Sequence, residues 1–302
     1  MRRRFFVDQF ENGGAVLHGE AAHHLSRVLR AEAGQLYELS DGEAVWLART
    51  EDIGRDSVEF ALVERLPVLL PTLHITLLLA IVKFDRFEWA IEKATELGAD
   101  EIVPLAAERS EKGLVAASAK RAARWKKILI ESAQQSRRLR VPVLHDAAVP
   151  TEGFRTDGSQ LRVLLSERAG AKPMREILEP VSPSGQNSPG AGSTWSPAEG
   201  VAGSTWSPPE NLMELSVAIG PEGGWTGAEF NMAADYGFAE AALGLNILRT
   251  ETAVCAALAA AQYAFGAFRQ VVGASPISPK SLPDEKIAPA VAEKGMRESN
   301  HE

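Results

Sequence analysis

Hydrophobic positions near the start of the chain alternate with polar positions in short runs. The runs that predict β-strands are residues 5–7, 35–40, 44–50 and 57–65. Asp41-Gly42 separates two of these runs and is a strong hairpin signal. A helix is predicted over residues 20–30, with Leu25, Val28 and Leu29 on its buried face. The pattern predicts a small, mostly β, barrel-like domain.

From residue 73 onward, continuous apolar runs alternate with amphipathic segments. Strands are predicted at residues 74–82, 101–106 and 161–166, and helices at residues 84–97 and 119–135. Continuous apolar strands are typical of a sheet that is covered on both faces. The strand–helix alternation predicts an α/β fold with a mostly parallel sheet.

Residues 215–252 contain two further apolar runs, each followed by a polar turn and a helix start. The first run leads into Gly-Pro-Glu-Gly-Gly, and the second, at residues 241–248, leads into Arg-Thr-Glu-Thr. Thr226 and Glu229 have the spacing of a capping box, which predicts a helix that ends at Gly237. Open α/β folds bind ligands where strand ends meet helix N-termini, so we expect a ligand crevice here.

Composition distinguishes a low-complexity segment and an apolar helix in the rest of the chain. Residues 180–211 are rich in Ser, Pro and Gly and contain GSTWSP twice, which favours a disordered insertion over a recognition motif. An Ala-rich apolar helix is predicted over residues 250–269, buried in the core or in a subunit interface. The predicted organisation is a β domain at 1–70, an α/β domain at 72–275 and a disordered tail at 276–302.

Charge is unevenly distributed along the chain. The net charge is −8, but the stretch from Arg109 to Arg140 has ten Lys and Arg residues against two Glu residues. A solvated helix face could carry part of this excess. A one-sided excess of this size is more typical of an anion-binding face.

Metal, redox and membrane functions find little support. Cys255 is the only cysteine and lies among alanines and a valine, which is typical of a small buried hydrophobe. The six histidines show no ligand spacing, so no metal site is predicted. No apolar run is long enough for a membrane span and the N-terminus lacks a signal core, so we expect a cytoplasmic protein.

Glycines in the first polar turn permit positive φ and close approach of backbone N–H groups to a ligand. Such a turn suits a ligand that is recognised through the main chain, such as a nucleoside, although a purely structural turn is equally compatible with the pattern. No GxGxxG follows a strand, so the Rossmann dinucleotide fingerprint is absent.

Four stretches together resemble one known family. They read KFDRFEWAIEKATELGADEIVPLAAERS, RWKKILIESAQQSRRLRVPVL, AIGPEGGWTGAEF and LGLNILRTETA. They are similar to the RsmE family, the bacterial uridine N3-methyltransferases of small-subunit (16S) ribosomal RNA. The resemblance covers about residues 2–179 and 212–270; the insertion and the tail depart from it.

This resemblance implies a fold and a cofactor that the pattern alone does not show. It implies an N-terminal PUA-like RNA-binding domain, a SPOUT methyltransferase domain with a C-terminal trefoil knot, and a homodimer. The cofactor would be S-adenosylmethionine. The residues that would hold it are Leu165, Ile219, Gly220, Pro221, Glu222, Gly223, Gly224, Leu243, Gly244, Ile247, Leu248, Arg249, Thr250, Thr252 and Ala253.

Catalytic and RNA-binding candidates follow from the same resemblance and from charge. Arg249 could stabilise a uridine anion or hold the knot together. Glu222 or Glu251 could take the N3 proton or cap a helix N-terminus. The RNA-binding candidates are Arg4, His24, Arg27, Arg30, Arg86, Arg109, Arg137 and Arg138. Spacing alone favours a solvated helix face for the three on the first helix.

Two alternative functions remain open at this point. The first is another SPOUT RNA methyltransferase, for example one that modifies a ribose 2′-hydroxyl. The second is a non-catalytic RNA-binding factor in ribosome assembly. The two intact polar turns argue against the second, because a protein that binds no cofactor has no need of both.

Deleting residues 184–209 should leave folding and activity intact, because this low-complexity segment has no apolar pattern to contribute to a core. Circular dichroism and a methyl-transfer assay on the shortened chain check this. An unfolded product would contradict it.

Overall fold

The computed structural model describes residues 3–155, 158–179, 212–266 and 268–270. All of them belong to one compact unit, Met1–Val271. The low-complexity segment 180–211 and the tail 276–302 lie outside the described residues.

The N-terminal part forms a five-stranded sheet, as the alternating pattern predicts. Its strands are β1 (Arg4–Phe6), β2 (Gly14–His18), β3 (Leu36–Ser40), β4 (Val45–Ile53) and β5 (Ser57–Leu66). Their order is β1-β3-β4-β5-β2, with β1 and β3 parallel and the other pairs antiparallel. The Asp41-Gly42 hairpin is confirmed: Asp41 accepts hydrogen bonds from two turn N–H groups, and Gly42 has a φ of +90°. Strand β2 was not predicted from the sequence.

The predicted first helix is irregular. Helix α1 spans only Gly19–His23 and continues as a π-helical turn over His24–Val28. Leu25 is fully buried, but Val28 is 63% exposed, so its predicted place on the buried face is wrong. A π turn holds more residues than an α turn, which rotates the later side chains away from the core.

A second sheet carries the α/β part of the chain. Its strands are β7 (Leu73–Ala80), β8 (Glu101–Leu105), β9 (Val143–Leu144), β10 (Leu161–Leu165), β11 (Lys172–Pro173), β12 (Met213–Ile219) and β13 (Ala239–Ala242); β6 (Leu69–Pro71) pairs separately with β14 (Phe268–Gln270). All pairs in the seven-stranded sheet are parallel, in the order β11-β13-β10-β12-β7-β8-β9. The predicted parallel α/β fold is confirmed.

Helices cover both faces of this sheet. They are α2 (Phe84–Glu96), α3 (Lys112–Ser118), α4 (Ala122–Gln135), α5 (Pro150–Gly153), α6 (Met174–Leu178), α7 (Gly227–Asp235) and α8 (Thr250–Phe265), with a 3₁₀ turn at Ala119–Arg121. Strand β7 shows the two faces clearly: Ile75 and Leu77 join the core under α2 and α8, whereas Leu78 packs with Phe154 and Trp225. Both faces are therefore dry, which explains the continuous apolar runs.

Two predicted boundaries near the C-terminus are wrong. The strand predicted at 241–248 is the shorter β13, and the residues after Ala242 form an irregular loop in which Leu245 is fully exposed. The helix predicted at 250–269 ends at Phe265. A side chain on Gly266 would lie 2.3 Å from the carbonyl oxygen of Gln262, so only glycine allows the chain to turn there.

The N-terminal sheet is attached to the segment that follows α4. The Ser40 hydroxyl donates to the carbonyl of Leu139 at 2.7 Å. Arg140 donates through Nε to the carbonyl of Gly42 at 2.6 Å, and its stem packs against that glycine. Side chains and backbone of the two parts thus form one hydrogen-bonded seam.

A charged cluster lies at the amino-terminal edge of the parallel sheet. Glu101 accepts hydrogen bonds from His145 at 2.6 Å and from His74 at 3.1 Å. These two bonds hold the pKa of Glu101 at about 2, well below its ordinary value of 4.5, although burial opposes the shift. Burial also opposes the charged form of His74, but Glu101 and Asp100 outweigh it and raise the pKa of that imidazole. The cluster therefore joins β7, β8 and the residue after β9.

Glu101→Gln should lower the free energy of unfolding at pH 6 by about 3 kcal/mol, since each pKa unit is worth about 1.4 kcal/mol. The folded pKa is depressed, so this stabilisation is complete above pH 4.5 and is lost as the pH falls toward 2. Urea unfolding followed by tryptophan fluorescence at several pH values measures the difference. Glu64→Gln, at an exposed position on β5, is the control. A loss of unfolding free energy in Glu101→Gln that does not shrink below pH 4.5 would contradict the prediction.

Candidate active site

A cavity of about 860 Å³ lies at the carboxyl edge of the parallel sheet. Its walls are the segments that follow β10, β12 and β13, together with the first turn of α8. Parallel strands end at the same edge, so residues far apart in sequence meet there. The two polar turns singled out in the sequence face this one cavity.

The Gly-Pro-Glu-Gly-Gly turn is packed tightly against Trp225. The indole donates through Nε1 to the carbonyl of Leu165 at 3.0 Å, and its ring lies 3.0 Å from where a side chain on Gly220 would begin. The Thr250 hydroxyl donates to the carbonyl of Gly220 at 3.1 Å, which joins α8 to the turn. Gly224 has a φ of +69°, a conformation that favours glycine.

The predicted capping box is confirmed. The Thr226 hydroxyl accepts from the Glu229 N–H at 3.3 Å, and the Glu229 carboxylate accepts from the Thr226 N–H at 2.8 Å. Glu229 is only 3% exposed, and it also accepts from the backbone N–H of Glu108 at 2.8 Å. Its buried charge is thereby compensated by backbone donors at the start of α7 and in the loop after β8.

Most of the residues that the resemblance implies for the cofactor line this cavity. Those that do are Leu165, Ile219, Gly220, Pro221, Glu222, Gly224, Leu243, Gly244, Ile247, Leu248, Thr250 and Ala253. Gly223, Arg249 and Thr252 are not among the lining residues, and all three are exposed.

Sequence reasoning missed part of the wall. Ser166, Glu167 and Arg168 directly follow β10 and line the cavity, as does Trp225. The Ser166 hydroxyl donates to Glu240 at 2.6 Å, and the Arg168 guanidinium lies 4.5 Å from the Phe230 ring centroid. For the three residues after β10, their position at the carboxyl end of a predicted parallel strand was the available signal.

The three catalytic candidates occupy different positions. Glu222 lines the cavity and accepts from Arg86 at 2.8 Å. Arg249 is the exposed N-cap residue of α8, between the two lining residues Leu248 and Thr250. Glu251 does not line the cavity; its charge acts on Cys255, one turn further along α8. The structure therefore brings Glu222 into the cavity wall. It places Arg249 outside the wall, between two residues that line it.

Arg4 and Arg138, two of the RNA-binding candidates, are engaged in structural contacts. Each side chain is 14% exposed. Arg4 pairs with Glu38 at 3.0 Å and donates to the carbonyl of Arg137 at 2.6 Å, while Arg138 pairs with Asp100 at 2.6 Å. Their guanidinium groups hold the chain together, which the charge pattern could not indicate.

The other basic candidates are more exposed. Arg27 and Arg30 lie on the surface at the π-helical turn, and His24 is 3.4 Å from Arg3. Arg137 is 39% exposed and approaches Glu38 at 3.6 Å. On α4, part of the positive charge is neutralised because Arg124 pairs with Glu88 and Lys127 pairs with Glu20.

Other classes of site find no support in the described part of the chain. Those residues contain no cluster of three or more His, Cys, Asp or Glu side chains able to hold a metal ion. Cys255 is half-buried, and burial raises the pKa of its thiol. None of the described helices combines the length and apolarity needed to cross a membrane.

Comparison with known proteins identifies the family. A family model of the RNA methyltransferase domain matches residues 69–262. The ribosomal RNA small subunit methyltransferase E of Synechocystis sp. is 32% identical over 238 residues, which are 78% of this chain and 69% of that protein. The chain belongs to the RsmE family.

Solved structures agree with this membership. A ribosomal RNA small subunit methyltransferase E of Neisseria gonorrhoeae, bound to S-adenosylmethionine, is similar with a TM-score of 0.69 and 28% identity. The match covers 88% of this chain and 99% of that one. A Legionella pneumophila methyltransferase in complex with the same cofactor matches with a TM-score of 0.69, 27% identity and coverage of 88% and 99%.

Gly220→Ala should destabilise this RsmE family member by about 1–3 kcal/mol, because the added methyl group overlaps the buried Trp225 ring. Thermal unfolding and tryptophan fluorescence measure the loss and the displaced ring. Gly227→Ala is the matched control, since a methyl group there meets no heavy atom within 4 Å. Equal stability of the two variants would show that the turn is not tightly packed.

Proposed function

We propose that this chain transfers a methyl group from S-adenosylmethionine to N3 of a uridine in small-subunit (16S) ribosomal RNA. The observation that carries the proposal is the cavity at the carboxyl edge, where both polar turns of the RsmE motifs meet. Family membership and the cofactor in two similar structures support the cofactor and the kind of RNA. The assignment of uridine as the target base, and of N3 as the methylated atom, rests on the resemblance of the motifs.

The cavity fits a cofactor of this size and chemistry. Its volume of about 860 Å³ is within the usual range of roughly 300–1,000 Å³ for small-molecule sites. Leu165, Ile219 and Leu248 supply apolar surface, and Gly220, Glu222 and Gly224 supply backbone polar groups. When bound, the cofactor supplies an electrophilic methyl group on a positively charged sulfur.

The strand order supports a trefoil knot in this domain. Strand β12 lies between β10 and β7, whereas β13 returns to the other side of β10. The Thr250–Gly220 hydrogen bond then holds the segment after β13 against the turn after β12. We assign the five-stranded sheet before it to a PUA-like domain that contacts RNA through Arg27 and Arg30.

A homodimer is part of the proposal. Leu245 and Ile247, on the loop before α8, are 105% and 79% exposed, and Tyr263 on α8 is 96% exposed. A group of exposed large apolar side chains, unlike a single one, marks a candidate surface for a partner. A ribosomal RNA substrate implies a cytoplasmic enzyme. Sedimentation of the purified chain at twice the protomer mass would support the dimer.

Methylation at N3 requires loss of a proton from uracil, so the site must accept that proton or stabilise the resulting anion. We propose that the Arg249 guanidinium faces the uridine anion, since Arg249 lies in the chain between the lining residues Leu248 and Thr250. Glu222 is the proposed proton acceptor, because it is the one of the two candidate carboxylates that lines the cavity. Arg86 orients it by a 2.8 Å ion pair.

The decisive experiment is methyl transfer from labelled cofactor to small subunits and to naked RNA, followed by nucleoside analysis. N3-methyluridine is the expected product. A 2′-O-methylated nucleoside would point to the alternative reaction, and no methylated product on either RNA would reject an active enzyme.

Arg249→Ala should lower kcat about 100-fold, the usual cost of removing one donor to a developing anion, with cofactor affinity within about twofold of wild type. Single-turnover kinetics and calorimetric titration separate the two effects. Glu222→Gln tests the proton acceptor, and the exposed Arg49→Ala on β4 is the control. An unfolded Arg249→Ala product would instead indicate a structural arginine.

A further inference from the structure

The loop that follows β8 is joined by one side chain to the Gly-Pro-Glu-Gly-Gly turn after β12, which we call the cofactor turn. Arg109 donates through Nη1 to the carbonyl of Gly223 at 2.6 Å and to the carbonyl of Trp225 at 3.3 Å. Both carbonyls belong to the turn after β12, more than one hundred residues later in the sequence. A guanidinium at this position holds the turn on both sides of Gly224.

The side chains of Arg109 and Glu167 pack against the glycines of the turn. A side chain on Gly223 would begin 3.4 Å from Cβ and Cδ of Arg109, and one on Gly224 would begin 3.1 Å from Oε1 of Glu167. The stem of Arg109 therefore lies along the backbone of the turn, and the residue also forms part of the cavity wall.

A second bond fixes the same loop to the same turn. The backbone N–H of Glu108 donates to the buried carboxylate of Glu229, which also accepts from the Thr226 N–H. Neighbouring residues 108 and 109 thus hold the two ends of the segment 223–226. The loop and the turn form one hydrogen-bonded body.

We propose that Arg109 is a positioning residue, which sets the conformation of the cofactor turn and so controls cofactor affinity without contacting RNA. Its charge suggested an RNA contact, but its Nη1 group is directed at two backbone carbonyls. A charge-assisted hydrogen bond to a carbonyl is strong and directional, so its loss should release the turn. The identity of the ligand rests on the proposed function.

The test is calorimetric titration of S-adenosylmethionine into the full-length chain without RNA. Arg109→Ala should weaken binding about tenfold or more, while the ligand-free protein still folds and its thermal midpoint falls by only a few degrees. Added guanidinium ions should restore part of the affinity, which general destabilisation would not allow. Lys126→Ala, on the exposed face of α4, is the control and should bind as wild type.

A phosphate contact makes the opposite prediction. Arg109→Ala would then bind the cofactor as wild type. The slope of the logarithm of the RNA-binding constant against the logarithm of salt concentration would flatten by about one unit. Both results together would overturn the proposal. If Arg109→Ala does not fold, Arg109→Lys replaces it, because lysine keeps the charge but loses the guanidinium geometry. Wild-type affinity of Arg109→Lys for S-adenosylmethionine would also overturn the proposal. A wild-type chain that binds no S-adenosylmethionine would reject the proposed function itself.

Discussion

The pairing of β12 with β7 and β10 is the contact on which the rest of the structure depends. Strand β12 is paired over its whole length with β7, and it is buried on both faces. Its carboxyl end therefore emerges in the middle of the sheet edge, between segments contributed by its neighbours. Because β10 and β13 end at the same edge, three segments distant in sequence can line one cavity.

Positions in that cavity are set by hydrogen bonds to the backbone more than by contacts between side chains. Trp225 bonds to the carbonyl of Leu165, Thr250 to that of Gly220, and Arg109 to those of Gly223 and Trp225. Gly220 is needed because the Trp225 ring lies 3.0 Å from where its side chain would begin.

The basic residues serve two purposes that composition does not distinguish. Arg4, Arg138 and Arg140 hold the N-terminal sheet and the segment after α4 by bonds to carbonyls and carboxylates. Arg27 and Arg30 remain on the surface of the π-helical turn. A local excess of charge therefore overstates the surface available to an anionic partner, since buried guanidinium groups count equally in the sequence.

Periodicity in the sequence determined the elements whose physics is local. The continuous apolar runs predicted buried parallel strands, and the Thr226–Glu229 spacing predicted the capped start of α7; both are confirmed. Asp41-Gly42 predicted its hairpin for the same reason, because a turn of this type depends on adjacent residues.

Only the tertiary structure decided the rest. The apolar segment after Ala242 is not a strand because no neighbouring edge is available to pair with it, and Val28 is exposed because a π turn rotates it outward. The same holds for the bonds from Arg109 to Gly223 and from Glu108 to Glu229, which join residues more than one hundred positions apart. Local spacing carries no information about such partners, since strand order alone brings them together.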